Sequence, residues 1–406
     1  MQVQTHSRLL SQWCSGLLYA AAFFMPWWQM GLEFSLFAAC AVMAVLLWRE
    51  PARLRALRWP GVALMLFVAW AYCTTWLAPE PSTSAYNFFY RCGTYAAMYL
   101  LVTWQLRTRE QCVHFLSYLL AGAVIVCVIG MYQYFLGGFD GFTMEWVDRE
   151  RFPLLLRRMY STLGNPNLLG AYLLIIASVL ASFTAIYERG YKRLLMAAFL
   201  LLILLVLLLT YSRGAWVSML VVLIATAIIY DGRVAWGLLA VPVFLWLHHG
   251  QITERFISLF HGGDTSVDLR FAFWRSTWQM IGDHWWTGIG WAAFPLVYPR
   301  YDYYIQDPSI VIYHAHNLYL TLLAETGIIG FALYMLAFWG HGVLAWRGYR
   351  TSVSHLARAL SLGVLLAVVG MSINGLFDYN FFHRTVALTF WTLCALQSAL
   401  SRLGQR

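Results

Sequence analysis

Apolar runs of roughly 17 to 20 residues follow one another along the chain, and each is long enough to cross a bilayer as a helix. The pattern predicts an all-α polytopic membrane protein of about twelve transmembrane helices. Their expected positions are 13–30, 32–48, 61–78, 92–105, 113–136, 168–187, 194–211, 214–230, 234–249, 318–346, 359–376 and 385–401. The fourth is short, and its start is the least marked. No cleavage site follows the first run, which reads as a retained span. The chain thus reads as a single transmembrane domain over 1–406. One large loop at 250–317, between spans 9 and 10, is expected to carry short helices and to form part of the active site.

Charge orients this bundle. The arginines fall in alternate loops: Arg8, the Arg49–Arg58 group, Arg107 and Arg109, Arg189 to Arg193, Arg233, the Arg347–Arg358 group, and Arg402 with Arg406. Those loops hold 16 basic residues against four acids, which makes them cytoplasmic, with both termini inside. The even number of spans agrees. The opposite face carries two long loops, 137–167 and 250–317, so chemistry is expected on that trans side, which is the periplasm if this is a Gram-negative protein. No ATP is expected there, so a substrate must arrive already activated.

Composition adds limits. Of 406 residues, 61% are hydrophobic and 11% charged, where a soluble domain is nearer a quarter charged. The net charge of +9 is almost all arginine, with Lys192 the sole lysine; it points to membrane orientation and lipid head groups rather than nucleic acid. The seven cysteines show no CxxC spacing, so neither a structural disulfide nor a cysteine metal site is expected.

Several polar residues stand out on the trans side. His316 lies in His314-Ala315-His316-Asn317-Leu318-Tyr319-Leu320, where a polar loop opens an apolar helix. A lone histidine is more often structural than catalytic, but this position, with arginines nearby, suits a base usable near neutral pH. Arg213, in a tight reversal between two spans, is either an interfacial anchor or an anion clamp. Arg270 and Arg275 fall on a segment that reads as an amphipathic interfacial helix. Arg157 and Arg158 precede the turn Gly164-Asn165-Pro166-Asn167, which is also readable as a plain helix cap. Asn317, Thr321 and Glu325 are spaced by four and share a helix face. Glu325 lies roughly 13 Å along that helix from His316, too far to orient its ring, and is expected to partner a buried polar group. His314, Asn317, Arg157, Arg158, Glu325 and Asp378 are kept as supporting residues. Trp285, Trp286, Trp291, Tyr298, Tyr301, Tyr303 and Tyr304 read as an interfacial belt or as a platform for sugar rings or an isoprenoid chain.

A metal is not expected. His314 and His316 could be two ligands, but no HExxH, cysteine ligand or Asp-x-Asp pair accompanies them, and Asp264, Asp268, Asp283, Asp302 and Asp307 are dispersed. Arginine would then do the cation's work on a lipid phosphate or diphosphate. A transporter of a lipid-linked anion explains the spans and arginines equally well, but not the long loop ending in a base, and inverted-repeat symmetry is not visible.

His316-Asn317, nine residues, then Gly327-Ile328-Ile329-Gly330 resembles the signature of the O-antigen ligase and polymerase superfamily. Ser212-Arg213-Gly214, the 164–167 turn and the stretch from Arg270 to Gly288-Ile289-Gly290-Trp291 and Phe294 support the resemblance. It implies a GT-C-like, metal-independent, inverting glycosyltransferase without cofactor. The expected donor is an undecaprenyl diphosphate-linked glycan, used on the periplasmic face. The resemblance maps the catalytic histidine onto His316 and the diphosphate-binding arginines onto Arg213 and Arg270, with Arg275 as an alternative to the second. Within the superfamily, the single dominant trans loop suggests a ligase with a lipid A-core acceptor. An O-antigen polymerase would favour two comparable loops. A protein O-oligosaccharyltransferase would favour a soluble C-terminal domain, where here only 401–406 follow the last span.

Overall fold

The computed structural model describes residues 2–137, 157–187, 190–237, 253, 265–302, 304 and 311–403. Among these the chain is helical throughout, with no strand. The principal helices are α1 (Gln2–Phe24), α2 (Gln29–Arg49), α3 (Trp59–Thr74), α4 (Pro81–Phe88), α5 (Thr94–Gln105), α6 (Arg109–Leu136), α7 (Pro166–Ile186), α8 (Gly190–Leu209), α9 (Arg213–Ile229), α10 (Thr265–His284), α11 (Leu318–Thr351), α12 (His355–Phe377) and α13 (Arg384–Leu403). Eight segments among the described residues are long and apolar enough to cross a membrane, and α9 is a shorter apolar helix. In lipid only internal hydrogen bonds satisfy the backbone, so the apolar runs become helices.

The bundle centres on α7, α12 and α13, whose apolar windows are 78%, 78% and 83% buried; α8, at 22%, turns its leucines outward. Small residues let the central helices approach closely. A Cβ on Gly363 of α12 would stand 2.9 Å from the Val179 backbone of α7, and one on Gly170 of α7 would stand 2.8 Å from Ala215 of α9. Without a hydrophobic drive between helices in lipid, such contact supplies dispersion energy that bulkier residues would forfeit.

Two ends are distinct. At one, Arg53 pairs with Glu50 at 2.6 Å, Arg107 donates to the Arg53 carbonyl, and Arg402 donates to the Ala56 carbonyl. At the other, Thr162 donates to the Pro26 carbonyl at 2.6 Å, Arg384 pairs with Glu33 at 2.8 Å, and Asn167 donates to Asp378 at 3.2 Å. The arginine-rich loops and the His316 region therefore occupy opposite ends.

Some expected boundaries move. The first run stops at Phe24, because a turn at Met25–Trp28 separates α1 from α2. The short fourth span is the end of a longer unit, Pro81 to Gln105, joined by a π-helical turn at Phe89–Gly93 that admits an extra residue, a form common near functional sites. The tenth span is broken at Gly327. Of the expected ninth span, 238–249 lie outside the described residues, as do 138–156 of the first long loop and Asp264, Tyr303 and Asp307 of the second.

Candidate active site

The site forms where α7, α9 and α11 begin and α12 ends. Asn317 caps α11: its side-chain oxygen accepts from the Tyr319 and Leu320 amides at 2.9 and 3.0 Å. Its amide donates to the Leu376 carbonyl at 3.2 Å, tying the start of α11 to the end of α12. Immediately before the cap, His316 sits at φ +49°, a left-handed conformation that costs a non-glycine residue on the order of 1 kcal/mol or more.

That conformation aims the ring at Asp378. His316 Nδ1 lies 3.0 Å from Asp378 Oδ1, and the ring stacks on Phe273 of α10 at 6.0 Å. Asp378 Oδ1 also accepts from the Tyr379 amide at 2.9 Å, and Oδ2 accepts from Asn167 at 3.2 Å. Burial alone would raise the Asp378 pKa, but the neighbouring His316, His314 and Arg270 hold it well below the usual carboxylate range. An ionised carboxylate can only accept, so His316 Nδ1 carries a proton toward it. The imidazole side chain remains 36% exposed against 10% for the Asp378 side chain, so the ring can meet a substrate while its orienting group stays covered.

Next to Asp378 is a cavity of about 170 Å³, lined among others by Arg158, Asn167, Tyr211, Arg213, Arg270 and Asp378. Ligand pockets for whole small molecules are typically ~300–1,000 Å³, so this one suits a compact anion such as a phosphate or diphosphate. Arg213 is 9% exposed and opens α9 after a reversal in which Tyr211 takes φ +52°. Arg158 is fastened to the same reversal, donating to the Thr210 carbonyl at 3.0 Å and to Asn167 Oδ1 at 3.1 Å. A continuous line of hydrogen bonds therefore runs Arg158–Asn167–Asp378–His316.

The other candidates separate clearly. Arg275 is exposed, donates to the Tyr304 hydroxyl at 3.2 Å, and does not line the cavity. Five residues on a helix rotate roughly 140°, so Arg270 and Arg275 face different ways. Arg157 is also exposed and donates to the Tyr134 carbonyl. Glu325 lies along the helix in the protein interior, and its carboxylate takes the amides of Ala292 and Phe294.

The glycine motif has a mechanical explanation. Gly327, at φ +62° and ψ −173°, breaks α11, so 318–326 form a half-helix. The carbonyls released there find partners: Ile289 N at 2.9 Å on Ala324, Gly290 N at 3.1 Å on Glu325, and Trp70 Nε1 at 2.8 Å on Thr326. In return Ile328 N donates to the Trp285 carbonyl at 2.9 Å. A Cβ on Gly327 would strike the Trp286 carbonyl, and one on Gly288 would strike that of Glu325. The nine residues between His316-Asn317 and Gly327 are the length of this half-helix.

His314, His316 and Asp378 also bring three ligand atoms within 4.8 Å of one another. Hydrogen bonds already engage them: the His316 amide donates to His314 Nδ1 at 3.1 Å, and His316 Nδ1 faces Asp378. Burial, then the adjacent His316, holds His314 down to about 3, so it is a neutral acceptor. The donor set is complete as a hydrogen-bond network.

An all-α membrane protein with a carboxylate-oriented histidine beside an arginine-lined cavity is thus defined. Residues 197–335 match the family model described as O-antigen ligase, a stretch that contains Arg213, Arg270, His316 and Gly327. No curated protein matches the chain. That stretch of the chain is similar to the O-antigen ligase family. Asp378, Asn167 and Arg158 lie outside the matched stretch. The orienting role of Asp378 was hidden in sequence by its distance of 62 residues from His316; its one local signal was a carboxylate directly after an apolar run.

Proposed function

We propose that this protein is an O-antigen ligase of the bacterial inner membrane, working on the periplasmic face. It would transfer a glycan from undecaprenyl diphosphate to a sugar of the lipid A core. The observation that carries this reading is the union of His316, oriented by Asp378, with the Arg213–Arg270 cavity.

The donor diphosphate occupies the arginine cavity, where guanidinium groups donate paired hydrogen bonds to its oxygens. His316 Nε2 removes the proton from the acceptor hydroxyl, and Asp378 stabilises the resulting imidazolium. The acceptor oxygen bonds to the anomeric carbon from the side opposite the diphosphate. The glycosidic C–O bond breaks, and its electron pair leaves with undecaprenyl diphosphate. Configuration inverts, and Arg213 with Arg270 hold the growing negative charge. No step requires a metal or other cofactor.

The test is a lipopolysaccharide gel from a deletion strain complemented with wild type or His316→Ala. Wild type should restore the O-antigen ladder. His316→Ala should leave bare lipid A core, with long glycan accumulating on the lipid carrier. A core bearing one repeat unit would indicate a polymerase instead, and a normal ladder from His316→Ala would remove the histidine from the mechanism.

A further inference from the structure

A second cavity, of about 320 Å³, opens at the same end of the bundle. It lies between the α1–α2 turn, the π-helical turn and the start of α13. Its walls include Trp27, Trp28, Tyr90, Arg91, His383 and Arg384. Its size reaches the lower range of pockets that hold small organic ligands, ~300 Å³.

The chemistry of the walls is specific. Arg91 lies 3.8 Å over the Phe382 ring and Arg384 lies 4.3 Å over the Tyr90 ring, so aromatic faces fix both guanidinium groups. Glu33 takes one of these charges at 2.8 Å, leaving the cavity net basic. Trp27 and Trp28 stack at 6.1 Å, a flat apolar surface of the kind on which a sugar ring rests. Trp27 Nε1 and His383 Nδ1 are buried polar atoms with no protein partner. Leaving such an atom unsatisfied costs about 1–3 kcal/mol, and a polyhydroxylated ligand would satisfy both. Burial, then Arg91 and Arg384, holds His383 down to about 4, so near neutral pH its ring is uncharged and Nδ1 can take either part in a hydrogen bond.

The cavity also has the right neighbour. The Phe382 ring on its wall is 5.4 Å from the His314 ring, which is 4.4 Å from the His316 ring. The arginine cavity lies on the Asp378 side of this group. We infer that the second cavity is the acceptor subsite, holding a saccharide unit that bears a phosphate or carboxylate and so presenting a nearby hydroxyl to His316. This inference rests on the transferase reading above. It places donor and acceptor on different sides of the base, as an inverting displacement needs.

The test is binding, separate from transfer. Full-length protein in detergent is titrated calorimetrically with delipidated, phosphorylated core oligosaccharide, and with the same oligosaccharide after chemical dephosphorylation. Wild type and His316→Ala should bind the phosphorylated form alike, and the dephosphorylated form at least tenfold more weakly. Arg91→Gln and Trp28→Leu should each weaken binding at least tenfold, Trp28 being 44% exposed at the rim and free of a core role. In transfer assays these two variants should raise KM for the acceptor and leave KM for the lipid-linked donor unchanged. Equal affinity across the variants would overturn the subsite. So would displacement by phosphatidylglycerol in mixed micelles at comparable concentration, which would make the cavity a lipid head-group site. Intact, variant-sensitive binding in a wild type that transfers nothing would overturn the ligase reading and leave the saccharide site standing.

Discussion

Replacing Asp378 with Asn isolates the charge behind the base. Shape is kept, but Oδ1 serves both His316 and the Tyr379 amide, so a carboxamide NH2 in that position would also leave the Tyr379 amide without its acceptor. What changes is the group facing His316 Nδ1 at 3.0 Å. A carboxylate fixes the proton on Nδ1, whereas a carboxamide can present its NH2 there instead, moving the proton to Nε2 and removing the base. Charge is lost as well. Imidazolium and carboxylate centres about 4 Å apart attract by roughly 4 kcal/mol at an effective dielectric of ~20. The exposure of the imidazole reduces that to about 2–3 kcal/mol. Combined with the wrong tautomer, kcat should fall about 10²- to 10⁴-fold. KM for the donor should change little, since Arg213 and Arg270 remain. The assay is transfer in proteoliposomes containing purified lipid-linked glycan and lipid A-core, with initial rates measured against each substrate. A variant within about threefold of wild type would refute the orienting role. A loss expressed chiefly in donor KM would move Asp378 from the base to the diphosphate site.

Other consequences follow from the same geometry. Arg213→Lys and Arg270→Lys should each lower kcat/KM about 10²- to 10³-fold, because lysine lacks the paired donors, while Arg275→Lys should stay within about twofold; the reverse ranking in the same assay would reassign the clamp. Gly327→Ala should destabilise the protein by on the order of 1–3 kcal/mol from φ +62° alone, with the Trp286 carbonyl clash added, and should lower its melting temperature in detergent; an unchanged melting point would contradict the broken helix. His314 and His383 are neutral when folded, at about 3 and about 4, but titrate near ~6.5 when unfolded. Below pH ~6.5 the unfolded state therefore binds protons that the folded state refuses, and stability falls with pH by up to ~1.4 kcal/mol per unit for each group. His383→Gln should accordingly lose less melting temperature between pH 7 and 5 than wild type, and equal losses would count against a neutral buried ring.

Much of the fold was legible because lipid imposes one rule on every span: an apolar run must be a helix. The signal weakens wherever helices depart from uniformity. At Met25–Trp28 apolar aromatics continue straight through a turn, so hydropathy joins what the backbone separates. At Phe89–Gly93 a charged residue, Arg91, is carried inside a helix by a π-helical turn, and the run therefore looked too short. The site was legible where its residues contradict their surroundings, as with His316, Arg213 and Arg270. Asp378 was visible as a polar residue, but its partner was not, because a contact across 62 residues leaves no local periodicity. Asn167 shows the same limit: in sequence it is a turn residue, and only the packing of α7 on α12 turns its amide toward Asp378.

The break at Gly327 bears on how such a site stays rigid. His316 belongs to the end of a membrane helix, and Arg270 to a helix in the intervening loop, so nothing in local sequence fixes their separation. Besides the Phe273–His316 stacking and the Trp274 Nε1 hydrogen bond to the Ala315 carbonyl at 2.9 Å, the two are joined by backbone at the far end of α10. The segment leaving α10 through Gly288 and Gly290 gives its amides to the half-helix that begins with Asn317, and Trp285 takes the amide of Ile328. Three backbone hydrogen bonds between elements this close leave no room for side chains, which is why glycine stands at 288 and 327, while Gly290 makes room for the backbone of Ala78. On the proposed reading, lipid-linked substrates enter from the side, so packing the walls of the site shut is not a route to rigidity. Bracing the base and the anion clamp from below keeps their geometry while the approach remains open. On this reasoning a glycine substitution at the junction should cost activity through the distance between Arg270 and His316, and not through either residue's own chemistry. Crosslinking or distance measurement by paired spin labels on α10 and α11 should then show a broadened separation in Gly288→Ala; an unaltered distribution alongside lost activity would refute the bracing role.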